Sequence, residues 1–436
     1  MVAKLSANGS AQLQATLDEL TQVLPCAYLS LATPEGILFD GTSGVFDKLE
    51  QSASPRPASQ DDVIWFASTT KLLTAVCYLK LVDQGKLTLD TNLAALYPPL
   101  GRAAAQRFLG LDENDKPIFE PNSEPLTLRM MLNQTSGFGM EFGEVVPLWK
   151  KVTDKGKGFV NSCKVENLVH TPIVNVPGTK FEYGNSAEWL ALILPTIAGV
   201  STEDYLQEYV CKPLGMKSTT YYPFSEDFKD RLMPLRYGLN AEKGDPGSIQ
   251  WEVLDGQLDL LTLPRTREAI EYPAGGGGIY SKTSDYVLLL RHLLTHYLSL
   301  RPDSHVPAPT SPILSSSSVM SLFTPTLPAS AYQSLLDMYN PYLSLDAPGQ
   351  IPLEIGEADW STAMAIYQPR DRRPRGGFGR KAGSVGWGGA AGTEYFMDPE
   401  TEIACVFSTQ MLPGRNRFVA EAKEKIEKAV YGALAA

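Results

Sequence analysis

The sequence predicts an α/β (α+β) fold: an antiparallel sheet built from both chain termini, flanked by helices, with a mostly helical region inserted between them. Three observations carry that expectation. Each end of the chain reads as a helix plus a hairpin, and the middle reads as helix and loop. The 436 residues, 43% hydrophobic and 20% charged, are enough to bury a sizeable core. The expected division is residues 1–90 and 272–436 as an α/β sheet domain, with 91–271 inserted as a mainly helical domain.

The elements follow in order. Ala11 to Leu24 spaces Leu13, Leu17, Leu20 and Leu24 on one side of a helix that Pro25 ends. Ala27 to Ala32 and Ile37 to Asp40 are strands joined by the Pro34-Glu35-Gly36 turn. Gln51 to Gln60, rich in Ser, Pro and Ala, is a loop. A helix beginning at Ser68 runs to Gly85. From Tyr97 to Asp154 the pattern is helix and loop, with Leu126 to Leu132 helical. Ala187 to Ile197 and Thr202 to Val210 are further helices.

Residues 224–270 read as polar and irregular. The apolar flanks of Gly275-Gly276-Gly277-Gly278 argue for tight backbone packing rather than a linker. Ser284 is the expected cap of a helix from Asp285 to His296. A Pro/Ser-rich excursion at 301–318 and a long irregular region follow. Glu394 to Asp398 and Ile403 to Ser408 form a hairpin around Asp398-Pro399-Glu400-Thr401. Phe418 to Tyr431 closes the chain as an amphipathic helix.

Composition excludes several classes. Net charge is −11, and the one basic cluster, Arg370, Arg372, Arg373, Arg375, Arg380 and Lys381, reads as a solvated loop. No nucleic-acid partner is expected. The five cysteines, Cys26, Cys77, Cys163, Cys211 and Cys405, lack metal or redox spacing and read as reduced core residues. His292 and His296 have helical spacing without the Glu of a zinc-protease motif, so no metal and no cofactor is expected. The N-terminus shows no hydrophobic signal region, and no apolar run approaches the roughly 20 residues of a membrane span. The expected location is cytoplasmic, with no membrane partner.

The chemistry-bearing stretch is Trp65-Phe66-Ala67-Ser68-Thr69-Thr70-Lys71-Leu72-Leu73. The helix it opens is apolar on nearly every side and so reads as buried. Ser68 sits at the positive end of the helix dipole, and Lys71 lies one turn on, on the same face. A helix start favours a developing alkoxide, and a buried lysine can accept or relay its proton. Ser-x-x-Lys alone is short enough to arise by chance. Here it occurs once, at the head of a buried helix.

Two further motifs stand in order behind it. Tyr183-Gly184-Asn185 is the chain's single Tyr-x-Asn, and Trp387-Gly388-Gly389 precedes the C-terminal hairpin. Together the three resemble the serine β-lactamase-like superfamily in its class C branch, which includes β-lactamases, D-alanyl peptidases, esterases and acyltransferases. Within that branch the chain looks most like the fungal lovastatin-type side-chain acyltransferases. The similarity also covers Tyr205-Leu206-Gln207-Glu208, Pro213-Leu214-Gly215 and Gly383-Ser384. It departs from the family pattern at Leu132-Asn133-Gln134-Thr135-Ser136-Gly137, where His is frequent, and at Trp387, where Lys or His is usual.

The resemblance implies a class C β-lactamase-like fold and a set of roles. Ser68 is the acylated nucleophile, with Lys71 and Tyr183 sharing its proton. The backbone N–H groups of Ser68 and Ala390 form the oxyanion hole. Asn185, Trp387, Gly388 and Gly389 bind substrate. Taken singly, Tyr183 and Trp387 would read as core aromatics and Asn185 as a helix N-cap.

An indole cannot pair with a substrate carboxylate as a lysine would. The expected activity is therefore a serine esterase or acyltransferase. It would move an acyl group from a neutral ester or thioester to an alcohol or water through an acyl-enzyme, in secondary metabolism. An acyl-carrier protein or CoA thioester is a further expected donor. A D-alanyl peptidase or β-lactamase is the second reading, and a non-catalytic binding protein on the same fold the third.

Overall fold

Strands from the two ends of the chain meet in one seven-stranded sheet. The computed structural model describes residues 3–46, 56–239, 241, 249–253, 267–346, 352–368, 379–414 and 416–435. The strand order is Gly36–Gly44, Cys26–Thr33, Ile403–Ser408, Thr393–Asp398, Ser384–Gly389, Ala365–Tyr367 and Ala358–Trp360. Every neighbouring pair is antiparallel. In the middle, Leu29 pairs with Phe407 and Leu31 with Cys405.

Both faces of the central strands are covered. Successive side chains point to opposite faces. Ala27, Leu29 and Leu31 share an apolar cluster with Leu13 and Leu17 of the Gly9–Leu20 helix and with Val419, Ile426 and Val430 of the Arg417–Ala433 helix. Cys26, Tyr28 and Ala32 face the other way. They join the cluster that contains Val287, Leu290 and Leu294 of the Thr283–Ser299 helix. That second cluster continues without a break through the Thr70–Asp83 and Ser186–Ala198 helices.

The N-terminal hairpin, the C-terminal hairpin and the terminal helices stand where periodicity placed them. Four readings need correction. Gln106–Leu111 and Pro117–Pro121 form a hairpin in a stretch expected to be helix and loop. Its turn is built by Asp112, which accepts from the backbone of Asn114 and Lys116, and Phe108 and Phe119 pack on Trp149. The region before Gly383 is not irregular throughout. It holds helices Ser316–Phe323 and Tyr332–Asp346 and the two strands that complete the sheet.

Within 224–270, Arg236–Gly238 pairs with Trp251–Val253 and with Met411–Leu412, a three-stranded sheet of short pieces. These strands are too short for a period-2 signal. Lastly, Ser284 is not a cap. The helix begins at Thr283 with Lys282 in the cap position, so Ser284 lies inside the first turn.

All five cysteines are buried, and none of them is in a disulfide. Burial pushes the thiols of Cys77, Cys211 and Cys405 far above the ordinary range, which keeps them protonated and inert. Of the basic cluster, Arg370, Arg372, Arg373 and Arg375 lie outside the described residues. Arg380 is no solvated side chain. It bridges Glu394 on the sheet and Glu427 on the C-terminal helix at 2.6 and 2.7 Å. His292 accepts from the backbone of Ile313, and burial pushes it down to about 4. No group of metal-ligating side chains occurs among the described residues, and no described helix is long and apolar enough to cross a membrane.

Candidate active site

Ser68 occupies a one-turn 3-10 segment, Ala67–Thr69, that leads into the Thr70–Asp83 helix. Ala67 has φ +46°, a left-handed conformation that a residue with a Cβ holds only when its surroundings enforce it. The enforcement is visible. Thr69 Oγ1 donates to the Phe66 carbonyl at 2.7 Å, and Thr70 Oγ1 to the Ala67 carbonyl at 2.6 Å. Tyr286 Oη donates to the Thr69 carbonyl at 2.8 Å, and the N–H of Ile279 donates to Thr70 Oγ1 at 3.0 Å. The turn is thus clamped from its own helix, from the segment that follows the four glycines and from the Thr283–Ser299 helix, and Ser68 is left half-buried.

The tetraglycine stretch runs alongside this helix start. Its successive carbonyls accept from Thr74 Oγ1, Lys71 Nζ and Trp65 Nε1 at 2.7, 2.9 and 2.6 Å. Gly275 and Gly276 have no room for a Cβ, which would strike the Ala187 carbonyl and the Glu188 carboxylate respectively. Glycine here lets a tight turn lie against the start of the Ser186–Ala198 helix.

Lys71 is only 8% exposed. Its Nζ lies 4.5 Å from the centre of the Tyr183 ring, a cation–π contact. Tyr183 in turn accepts a hydrogen bond on its hydroxyl from Trp387 Nε1 at 3.1 Å, and the two rings stand 5.3 Å apart. The first, second and third motifs are therefore joined side chain to side chain. Trp387 packs edge-on against Trp360 and Tyr339, and Tyr183 lies near the exposed ring of Phe142. The mouth of the site is aromatic.

Gly388 and Gly389 lie at the end of the Ser384–Gly389 strand, which packs against the Ser68 turn. A Cβ on Gly389 would meet the Phe66 carbonyl at 2.5 Å. Ala390 follows at once and shares an apolar cluster with Ala67. Asn185 precedes the Ser186–Ala198 helix in the N-cap position, yet its side chain caps nothing. It is wholly buried, and neither amide atom has a hydrogen-bond partner among the described residues. Buried amides are rarely left so.

Sequence reading passed over the groups that hold this arrangement. Gln134, at φ +61°, accepts from the N–H of Gly184 through Oε1 at 3.2 Å and from the N–H of Glu182 through its carbonyl at 2.8 Å. Ser136 and Ser186 share a hydrogen bond of 2.6 Å between their hydroxyls. The Leu132–Gly137 segment, singled out for departing from the family pattern, is thus the cradle of Tyr183. Gly184 sits against the Phe138 carbonyl with no space for a methyl group. Gly184→Ala is expected to cost about 1–3 kcal/mol, as overpacking does, and to displace Tyr183. A lower melting temperature together with a larger relative loss of ester turnover than of stability checks this.

A sequence model of the Beta-lactamase family matches residues 13–429. The chain belongs to that family. As a beta-lactamase-family protein it is also 25% identical to the lovastatin esterase of Penicillium rubens, over 87% of this chain and 88% of that one. It is 27% identical to the acyltransferase CalJ of Penicillium decumbens, over 85% and 80%. Its fold is that of the unliganded simvastatin synthase of Aspergillus terreus, with a TM-score of 0.80 and 20% identity over 98% and 99% of the two chains. The family and fold class expected from the three motifs are those found, and the serine-enzyme reading stands with them.

Proposed function

We propose that this chain is a serine acyltransferase or esterase that works through an acyl-enzyme on Ser68, acting on small neutral esters or thioesters. The observation that carries the reading is the Trp387–Tyr183 hydrogen bond. An indole N–H, uncharged, stands on the phenol where the family usually places a cation. It can steady a phenolate by donating to it, but it offers a substrate carboxylate no charge. The curated relatives are named as an esterase and an acyltransferase, in agreement with neutral ester chemistry.

The steps follow from the roles. Tyr183, as phenolate beside the Lys71 ammonium, takes the proton of Ser68 as Oγ attacks the acyl carbonyl. The N–H groups of Ser68 and Ala390 receive the developing oxyanion. As the tetrahedral intermediate collapses, the leaving alcohol or thiol takes the proton back from Tyr183. An acceptor alcohol, or water, then gives its proton to Tyr183 and attacks the Ser68 ester, and the returning proton restores the serine. Acyl-carrier protein and CoA thioesters are donors within this scheme, and secondary metabolism is the proposed setting.

Intact mass after incubation with a panel of acyl esters and CoA thioesters tests the proposal. The expected result is a single acyl adduct mapping to Ser68, discharged faster when an alcohol acceptor is present. Hydrolysis of nitrocefin without any ester turnover would reverse the assignment. Trp387→Ala is expected to lower kcat/KM for bulky esters more than for acetyl esters, since a lost wall matters most to the group it touches. Trp387→Phe keeps the wall and removes the N–H, so it should lower turnover of both to a similar degree. An equal loss on every ester in Trp387→Ala would mean that the ring does not line the substrate pocket.

A further inference from the structure

One buried carboxylate near the site has no part in the steps above. Glu188 lies in the first turn of the Ser186–Ala198 helix and is 2% exposed. Its Oε1 accepts from the N–H of Gly276 at 3.0 Å, while Oε2 has no hydrogen-bond partner among the described residues. The carbonyl of the same Gly276 accepts from Lys71 Nζ at 2.9 Å. One glycine is therefore gripped on its two sides, by the carboxylate through its N–H and by the ammonium through its C=O. A Cβ there would lie 2.3 Å from Oε1 of Glu188, so any side chain at this position displaces the carboxylate.

Burying a carboxylate is costly unless something compensates it. The titratable groups that face Glu188 are Lys71, Glu141, Cys163, Tyr221 and Tyr272. Burial pushes the Cys163 thiol up to about 12 and the two phenols up as well, so all three are neutral near pH 7. Glu141 has its own partners: it accepts from the Val160 N–H and lies 3.9 Å from Lys150 Nζ. That leaves Lys71 as the cation that Glu188 answers. Burial pushes the Glu188 carboxyl above the ordinary carboxylate range, and the Lys71 ammonium offsets this only in part.

We propose that Glu188 is a positioning residue for the acyl-transfer site. Through the Gly276 peptide it fixes where the Lys71 ammonium sits against Tyr183. This rests on the assignment of Ser68, Lys71 and Tyr183 made above. A displaced ammonium disturbs the reacting geometry rather than substrate binding, so the effect belongs in kcat.

Glu188→Gln tests this, because the amide oxygen can still accept from Gly276 but without the charge that strengthens the bond. On a neutral ester such as p-nitrophenyl butyrate, kcat/KM should fall about tenfold, a modest share of what a positioned base supplies. The loss should lie in kcat, with KM little changed. The melting temperature should stay close to that of the wild type. Wild-type kcat and KM in this variant would overturn the proposal. Should Glu188→Gln fail to fold, Glu188→Asp decides: it withdraws the carboxylate from Gly276 by one methylene and should lower kcat several-fold with KM little changed. Wild-type kcat in that variant would overturn the proposal equally. Labelling by a fluorophosphonate probe keeps the two ideas apart. If wild type is labelled at Ser68 and Glu188→Gln behaves as wild type, this inference alone fails. If wild type is not labelled, the acyl-enzyme reading fails with it.

Discussion

Ser68→Ala is expected to reduce ester turnover by a factor on the order of 10⁶, the scale on which removing a serine nucleophile acts. The fold should survive. Ser68 is half-buried on a turn whose geometry is held by Thr69, Thr70, Tyr286 and Ile279, none of which bonds to the serine hydroxyl. The melting temperature should therefore match the wild type while the acyl adduct disappears from the mass spectrum. A purified variant that retains near-wild-type turnover would show that another group carries the acyl chain. One that loses both turnover and melting transition would leave the nucleophile to be judged by peptide mapping of the wild-type adduct.

The second large effect belongs to Tyr183→Phe. The ring contacts with Phe142, Trp387 and the Lys71 ammonium all survive this change, and only the hydroxyl is lost. Turnover should fall by about 10²–10⁴, the contribution of a positioned general base. Stability should change by about 1 kcal/mol, because one hydrogen bond, from Trp387 Nε1, loses its acceptor. The diagnostic is that kcat falls, with KM nearly constant, and that reaction of Ser68 with a fluorophosphonate slows in proportion. A variant whose KM rises while kcat holds would make Tyr183 a binding residue and leave the proton to Lys71.

Particular residues show how far the chain could be read before its structure was known. Leu13, Leu17 and Leu20 announce their face because the helix period is local, whereas Cys26–Thr33 and Ile403–Ser408, buried on both faces, read only as short apolar runs between turns. Ser68, Lys71 and Tyr183 stand out because their motifs, in order, resemble those of the family, and Trp387 stands out by departing from it. The tetraglycine also gave a correct signal, that backbone would pack closely there, without saying against what. The short strands at Arg236–Gly238, Trp251–Val253, Ala358–Trp360 and Ala365–Tyr367 carry no such signal. Three residues cannot display a period, and such strands exist only because a neighbour pairs with them.

The sequence by itself determined the sheet from both termini, the family, and the candidates for nucleophile and base. Only the tertiary structure decided what surrounds them. It placed Gln134 under Gly184, the Gly276 peptide between Lys71 and Glu188, and the Trp387 N–H on the Tyr183 hydroxyl. The physical reason is the range of the interactions. Periodicity and capping act over a few residues. A hydrogen bond between Trp387 and Tyr183, or between Lys71 and Gly276, joins residues some two hundred positions apart. Such bonds are set by how the helices and the sheet pack, which no local pattern encodes.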